Sequence, residues 1–207
     1  MILAVDTSLG SAVAIVDGDG ARLADASSPD PLGHAEVIGD LLRRALDDAG
    51  QGSIEHVVAG MGPGPFTGLR IGIATARAFA LGRGVDVIPV PSHFAPALTE
   101  LERDAEAGRF AVITDARRRE VAITVFDGFD ADGIPNVVTD TILVPRAEAE
   151  AHLDGIRAVE ATGLDGAALA RVGLRAWGAD RTLAGQEPLY LRQPDVTVPG
   201  APKKVGA

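Results

Sequence analysis

The sequence contains no cysteine, which excludes disulfide scaffolds, thiolate metal sites and cysteine nucleophiles together. Aromatic residues make up only 4%, and cations are outnumbered, with 19 Lys and Arg against 29 Asp and Glu. The net charge of −10 leaves too few cations for the free chain to hold nucleic acid by phosphate contacts alone. Lysine is almost missing; the only two, Lys203 and Lys204, sit near the end. Long apolar runs are missing too. A bilayer span takes about 20 residues, and the most apolar helix-like stretch, 68–82, is shorter and carries Arg70 and Arg77. Asp6 cuts short the apolar run at the start, which argues against a secretory signal. What is present is 46% hydrophobic residues. A chain of this size buries roughly 70% of its unfolded surface and needs no metal or disulfide staple. We therefore expect an acidic, soluble, cytoplasmic protein.

Periodicity supplies the organisation. Residues 2–6 and 12–17 are apolar runs of strand type, Gly18-Asp19-Gly20 is a turn, and 21–26 offers a third strand. After Pro29 and Pro31 the period changes: Ile38, Leu41, Leu42, Ala45, Leu46 and Ala49 recur at helical spacing, with Asp40 and Arg44 as an i, i+4 pair, until Gly50 and Gly52 end the helix. A buried strand at 57–61, a glycine-rich loop, an apolar helix at 69–81, a strand at 85–90 and a helix at 93–106 follow. Strands alternating with helices predict an α/β domain with a partly parallel sheet.

The pattern then restarts. ILAVDTSLGSAVAIVDGDG from Ile2 and FAVITDARRREVAITVFDG from Phe110 each hold an apolar strand ending in Asp, a polar turn, and a second strand ending Asp-Gly. The spacings from Asp6 to Asp17 and from Asp115 to Asp127 are 11 and 12 residues. Either two hairpins coincide by chance, or the chain holds an internal duplication. The second half continues with a strand at 137–144, a short helix at 146–153, a strand at 158–162, a helix at 167–177 and an ordered element at 188–192.

Two segments have the composition of a ligand site. Gly62-Pro63-Gly64-Pro65-Phe66-Thr67-Gly68 joins a strand to a helix, where backbone N–H groups can cradle an anion, with Thr67 placed as N-cap. A P-loop would need Gly at position 67 followed by Lys, and a dinucleotide fingerprint would need its third Gly there; Thr67 breaks both. The alternative is a tight turn whose glycines let the helix approach the sheet. Asp6-Thr7-Ser8, at the tip of the first hairpin, is the arrangement that phosphate-binding hairpins use, although these are also ordinary turn residues. His34, His56, His93 and His152 are too far apart in sequence to form a helical metal pair, so no metal site is expected. Arg117-Arg118-Arg119 is a basic hairpin tip, solvated or in contact with RNA.

Together these residues resemble the TsaB family: the hairpin at Asp6, His34 and Glu36 opening the first long helix, GPGPFTGLRIG from Gly62, DARRREV from Asp115, and PLYLR from Pro188. The sequence departs from the family pattern at Pro65, Ala35 and Ala122. The resemblance implies the actin-like, ribonuclease-H-like fold of the sugar kinases, Hsp70 and actin, an α/β architecture of two similar domains with mixed sheets. Residues 1–106 would form the first domain, 107–193 the second, smaller one, and 194–207 a mobile Pro-rich tail. It further implies a non-catalytic subunit in the synthesis of threonylcarbamoyladenosine on tRNA. Such a subunit dimerises with the larger paralogue TsaD, helps recruit the ATPase TsaE, and meets tRNA only within that complex. Alone, it would form a homodimer.

By the same resemblance, the partner surface lies on the first long helix and the helix after the glycine loop. The interface residues would be His34, Glu36, Ile38, Leu41, Leu42, Ala45, Leu69, Ile73 and Arg77. No cofactor is required; weak nucleotide or anion contact would fall on Asp6, Thr7, Ser8, Gly62, Gly64, Thr67 and Gly68. The competing function is an actin-like kinase or ATPase, motivated by Asp6-Thr7-Ser8 and the glycine loop. A metallopeptidase is the weakest reading, since no metal-ligand constellation is present.

Overall fold

Alternation along the first strand decides which way its side chains face. In β1 (Ile2–Asp6), Leu3 and Val5 enter one apolar cluster while Ile2 and Ala4 enter another on the opposite side. Every residue of β1 and of β2 (Ser11–Val16) is buried, so both faces of their sheet are covered. The computed structural model describes residues 1–30 and 33–192. The expected tail at 194–207, including Lys203 and Lys204, lies outside the described residues.

β2 pairs antiparallel with β1 and with β3 (Arg22–Ser28). β4 (His56–Gly60) runs parallel to β1, and β5 (Asp86–Val90) parallel to β4. The crossovers are α1 (His34–Ala49) and α2 (Phe66–Arg83), giving the order β3-β2-β1-β4-β5. A second sheet holds β6 (Arg109–Asp115), β7 (Glu120–Phe129), β8 (Pro135–Pro145) and β9 (Arg157–Glu160) in the order β8-β7-β6-β9. Its β6–β7 and β7–β8 pairs are antiparallel, and β9 is parallel to β6 after the short helix α4 (Ala149–Leu153). These are the order and directions of β3-β2-β1-β4. The two hairpins with matching sequence occupy equivalent places in two similar mixed sheets, so the duplication is structural.

Two further helices lie between the sheets. α3 (Phe94–Arg103) stops three residues short of the expected end, with Asp104 extended. α5 (Gly166–Gly178) is capped by Asp165, whose Oδ1 accepts from the backbone N–H of Ala167 and Ala168 at 2.9 and 3.1 Å. Both helices join Ile2, Ala4 and Val58 of the first sheet and Phe110, Val112 and Phe126 of the second in one cluster. α1 and α2 cover the outer face of the first sheet, and α4 the outer face of the second. Along α1, Asp40 pairs with Arg43 rather than Arg44, which pairs with Asp48 instead. These pairs are exposed and contribute little.

His93, just ahead of α3, ties the central layer to the second sheet. It is buried, with Nδ1 2.7 Å from Thr124 Oγ1 and Nε2 2.9 Å from Thr114 Oγ1. Burial holds its pKa down at about 3. The unfolded chain protonates this group near its ordinary value of about 6.5, and the folded protein does not. Stability from His93 is therefore complete above that value and drains as pH falls, at about 1.4 kcal/mol per pH unit, until the folded pKa is reached. Buried Asp6 acts with the opposite sign, because its raised pKa makes the folded form take up a proton first. The clean measurement is a difference. Urea midpoints of the native protein and His93→Gln should converge between pH 6.5 and 5, and a constant separation would contradict the neutral buried imidazole.

Candidate functional site

The first hairpin tip and the glycine loop do come together, but they fill one another. Asp6 Oδ1 accepts from the Ser8 backbone N–H at 2.7 Å and from Ser8 Oγ at 2.6 Å, while Ser92 Oγ donates to Oδ2. Burial pushes the Asp6 pKa up, and the hydrogen bonds from Ser8 and Ser92 pull against that shift. Thr7 Oγ1 donates to the Gly68 carbonyl at 2.6 Å, and Ser11 Oγ lies 2.9 Å from His34 Nδ1. Gly62 N–H donates to Ser92 Oγ at 3.0 Å, latching the loop to the start of the central layer.

Glycine is needed here for close approach. A Cβ on Gly72 would stand 2.2 Å from Thr7 Oγ1, one on Gly68 2.7 Å from the Thr7 carbonyl, and one on Gly64 2.8 Å from Ser8 Cα. The tight-turn reading therefore holds, and the anion reading is corrected at Asp6, Thr7 and Ser8. These are 1%, 1% and 4% exposed, with their polar atoms spent internally. Gly62 is buried against Leu69. Thr67 is not an N-cap: α2 begins at Phe66 after Pro65, and no side chain caps it. Gly72→Val should lower stability by about 3 kcal/mol through overpacking. Gly82→Val, where a Cβ meets nothing within 4 Å, should cost far less. Equal urea midpoints for the two variants would contradict this packing.

The expected partner residues divide by burial. His34, Ile38, Leu41, Ala45, Leu69 and Ile73 are buried, and the apolar five lie in the cluster beneath α1 and α2. They face the protein's own sheet, which corrects their assignment to an interface. Their helical spacing marked a face that had to be covered, and the sheet covers it. Leu42 is half-buried, and Glu36 and Arg77 are exposed. Arg77 donates to the Gln186 carbonyl, part of a strap over residues 183–192 that returns along α2. The strap is the ordered element expected at 188–192, without regular secondary structure. Leu189 N–H donates to the Met61 carbonyl at 2.7 Å, and Arg70 Nε to Tyr190 Oη at 2.9 Å.

Sheet, α1 and strap leave one side of α2 open. Thr67, Ala74 and Ala78 are exposed, Ile71 half-buried, and Leu81 84% exposed. The spacing 67, 71, 74, 78, 81 is that of a helix-docking seam, a signal present in the sequence but hidden among the other apolar residues of α2.

A groove of about 640 Å³ runs between the start of α2, the β6–β7 turn and the strap. Gly64, Thr67 and Gly68 reach its wall, and so do Arg70, Arg117 and Arg118. The turn is held in an unusual backbone, with φ of 61, 54 and 63° at Arg117, Arg118 and Arg119. Left-handed conformations at non-glycine residues cost on the order of 1 kcal/mol or more each. Among the described residues, no group of three or more His, Asp or Glu side chains is placed to hold a metal ion. No described helix is long and apolar enough to cross a membrane.

Two similar mixed sheets, a shared helix layer and the hairpin at the head of each half define an actin-like protein. A crystal structure of a Pseudomonas aeruginosa protein described as similar to peptidase YeaZ superposes with a TM-score of 0.74, covering 92% of this chain and 99% of that one at 24% identity. The family model described as TsaD, tRNA N6-adenosine threonylcarbamoyltransferase, matches residues 32–155. An uncharacterized protein of Mycobacterium tuberculosis is 35% identical over 205 residues, 94% of this chain and 92% of the relative. The tRNA threonylcarbamoyladenosine biosynthesis protein TsaB of Escherichia coli is 29% identical over 205 residues, 97% of this chain and 82% of that one. The chain belongs to this family, on its TsaB branch.

Proposed function

We propose that the protein works in the synthesis of threonylcarbamoyladenosine on tRNA as a non-catalytic subunit. It pairs with a TsaD-like paralogue in the cytoplasm and helps present the pair to a TsaE-like ATPase. Family membership supports the pathway. The pairing rests on one observation, the open seam of α2 from Thr67 to Leu81, with Leu81 84% exposed. An apolar stripe beside a charged helix face is a usual composition for a protein interface. The charged face is the outer side of α1, where Asp40, Arg43, Asp47 and Asp48 are exposed. In the absence of the paralogue, the same seam serves a homodimer.

We place the two halves at 1–106 and 107–193, each with its own sheet, and α5 of the second half closes the inner face of the first. The caged Asp6 removes the main motive for a kinase or ATPase reading. At a net charge of −10, contact with tRNA belongs to the complex. The test is reconstitution. Tagged protein should co-purify with the paralogue from its own cells, and modified tRNA should form only when both are present with the ATPase. Transfer by the purified chain alone, or no association with the paralogue, would overturn this function.

A further inference from the structure

The strap over 183–192 joins two places that are far apart along the chain. Each of its residues is half-buried or exposed, and it has no regular secondary structure, so it belongs to the segments that open most readily. One part is fastened to α2. Arg77 donates to the Gln186 carbonyl, Arg70 Nε donates to Tyr190 Oη at 2.9 Å, and the Tyr190 ring packs on Phe66 with centroids 4.5 Å apart. The end of the strap reaches the β6–β7 turn. There the Arg192 guanidinium donates to the Arg117 carbonyl at 3.3 Å and pairs with the Glu120 carboxylate. It therefore grips both ends of the turn, whose own closing bond runs from the Glu120 N–H to the Arg117 carbonyl at 3.0 Å.

That turn holds three successive arginines in left-handed backbone. Such a run persists only where the surroundings enforce it. One enforcing contact comes from its own sheet, since the Arg146 N–H donates to the Arg119 carbonyl at 2.7 Å. The other comes from the strap, a segment of low local stability. A strained turn held partly by a readily opened segment has two arrangements available to it, and whatever steadies the strap selects one. The strap is steadied on α2 beside the open seam. Ala74 lies four residues after Arg70 and three before Arg77, and Leu81 lies four after Arg77, spacings that make them neighbours on the helix surface. Both arginines are exposed, so water competes for their hydrogen bonds to the strap. A helix seated on the seam would exclude that water and strengthen those bonds.

We infer that the strap is a latch, fastened on α2 by Arg70 and Arg77, that sets the backbone of the arginine turn through Arg192 and carries docking on the seam to that turn. The latch stands on the contacts of this chain alone. The choice of effector rests on the paralogue docking proposed above.

The test follows amide hydrogen exchange in the full chain labelled with nitrogen-15, at Leu189, which is bonded to the Met61 carbonyl, and at Glu120 in the turn. Arg192→Gln should speed exchange at Glu120 by about tenfold or more, as expected for losing a hydrogen bond to a charged group. Amides of β1 and β4 should stay protected and the melting curve should hardly move. Arg77→Gln is the deciding variant, because its listed partner is the strap carbonyl and the turn is gripped from the strap's other end. It should speed exchange at Leu189 and at Glu120 together. Glu120 exchange unchanged in Arg77→Gln would overturn the coupling, and Glu120 unchanged in Arg192→Gln would overturn the latch itself.

Adding the TsaD-like paralogue to the native chain should then slow exchange at Leu189 and Glu120. By reciprocity, Arg192→Gln, remote from the seam, should weaken paralogue binding by the factor that docking gains in protection. Binding that leaves Glu120 exchange unchanged or faster would overturn the link to docking. Absence of any binding would overturn the docking reading and the effector with it, whereas the two variants of the free protein decide the latch in either case.

Discussion

Leu41→Asp should unfold the protein instead of detaching a partner. Leu41 is 8% exposed on the inner side of α1, in the cluster that α1 and α2 form on the first sheet. Losing its apolar contacts costs about 2–4 kcal/mol. A short carboxylate at that depth cannot reach water as an arginine would, and burying a charge without a partner adds several kcal/mol or forces protonation. Together these approach the whole stability of an ordinary domain, about 5–15 kcal/mol. We expect a melting temperature lowered by about 10 °C or more, or insoluble protein. Circular dichroism melting decides the matter. A native melting curve combined with lost paralogue binding would return Leu41 to the interface.

Charge on the open side of α2 should have the opposite pattern. Leu81→Glu and Ala74→Glu place carboxylates where the free protein already meets solvent, so melting should move by little. In the complex the same carboxylates would be desolvated without partners, and central interface positions carry a large share of binding energy. Binding to the TsaD-like paralogue should weaken by about 2–4 kcal/mol, roughly 30- to 1000-fold. The measurement is a titration of each variant against the paralogue, paired with its melting curve. Binding within about twofold of the native protein at both positions would move the interface away from this seam.

The amino-acid sequence by itself determined the elements, the duplication and the family. Alternation in residues 2–6 and helical recurrence from Ile38 to Ala49 are local consequences of backbone period, and a repeated Asp-to-Asp spacing needs no coordinates to be seen. Tertiary structure decided which partner each apolar face meets. The stripe Ile38, Leu41 and Ala45 declares that a face must be covered, yet burial against one's own sheet and burial against another protein demand the same residue types. In α2 nearly every position is apolar, so only the placement of sheet, α1 and strap separates buried Leu69 and Ile73 from open Ala74 and Leu81. Asp6-Thr7-Ser8 reads equally as a ligand cradle or a turn, and the approach of Gly68 and Gly72 made it a closed hydrogen-bonded knot. The arginine groove joins Arg70, Arg117 and Arg192, residues far apart in the chain, and so exists only once the halves are folded together. Period is a local property of the chain, whereas exposure depends on what the rest of the chain brings alongside.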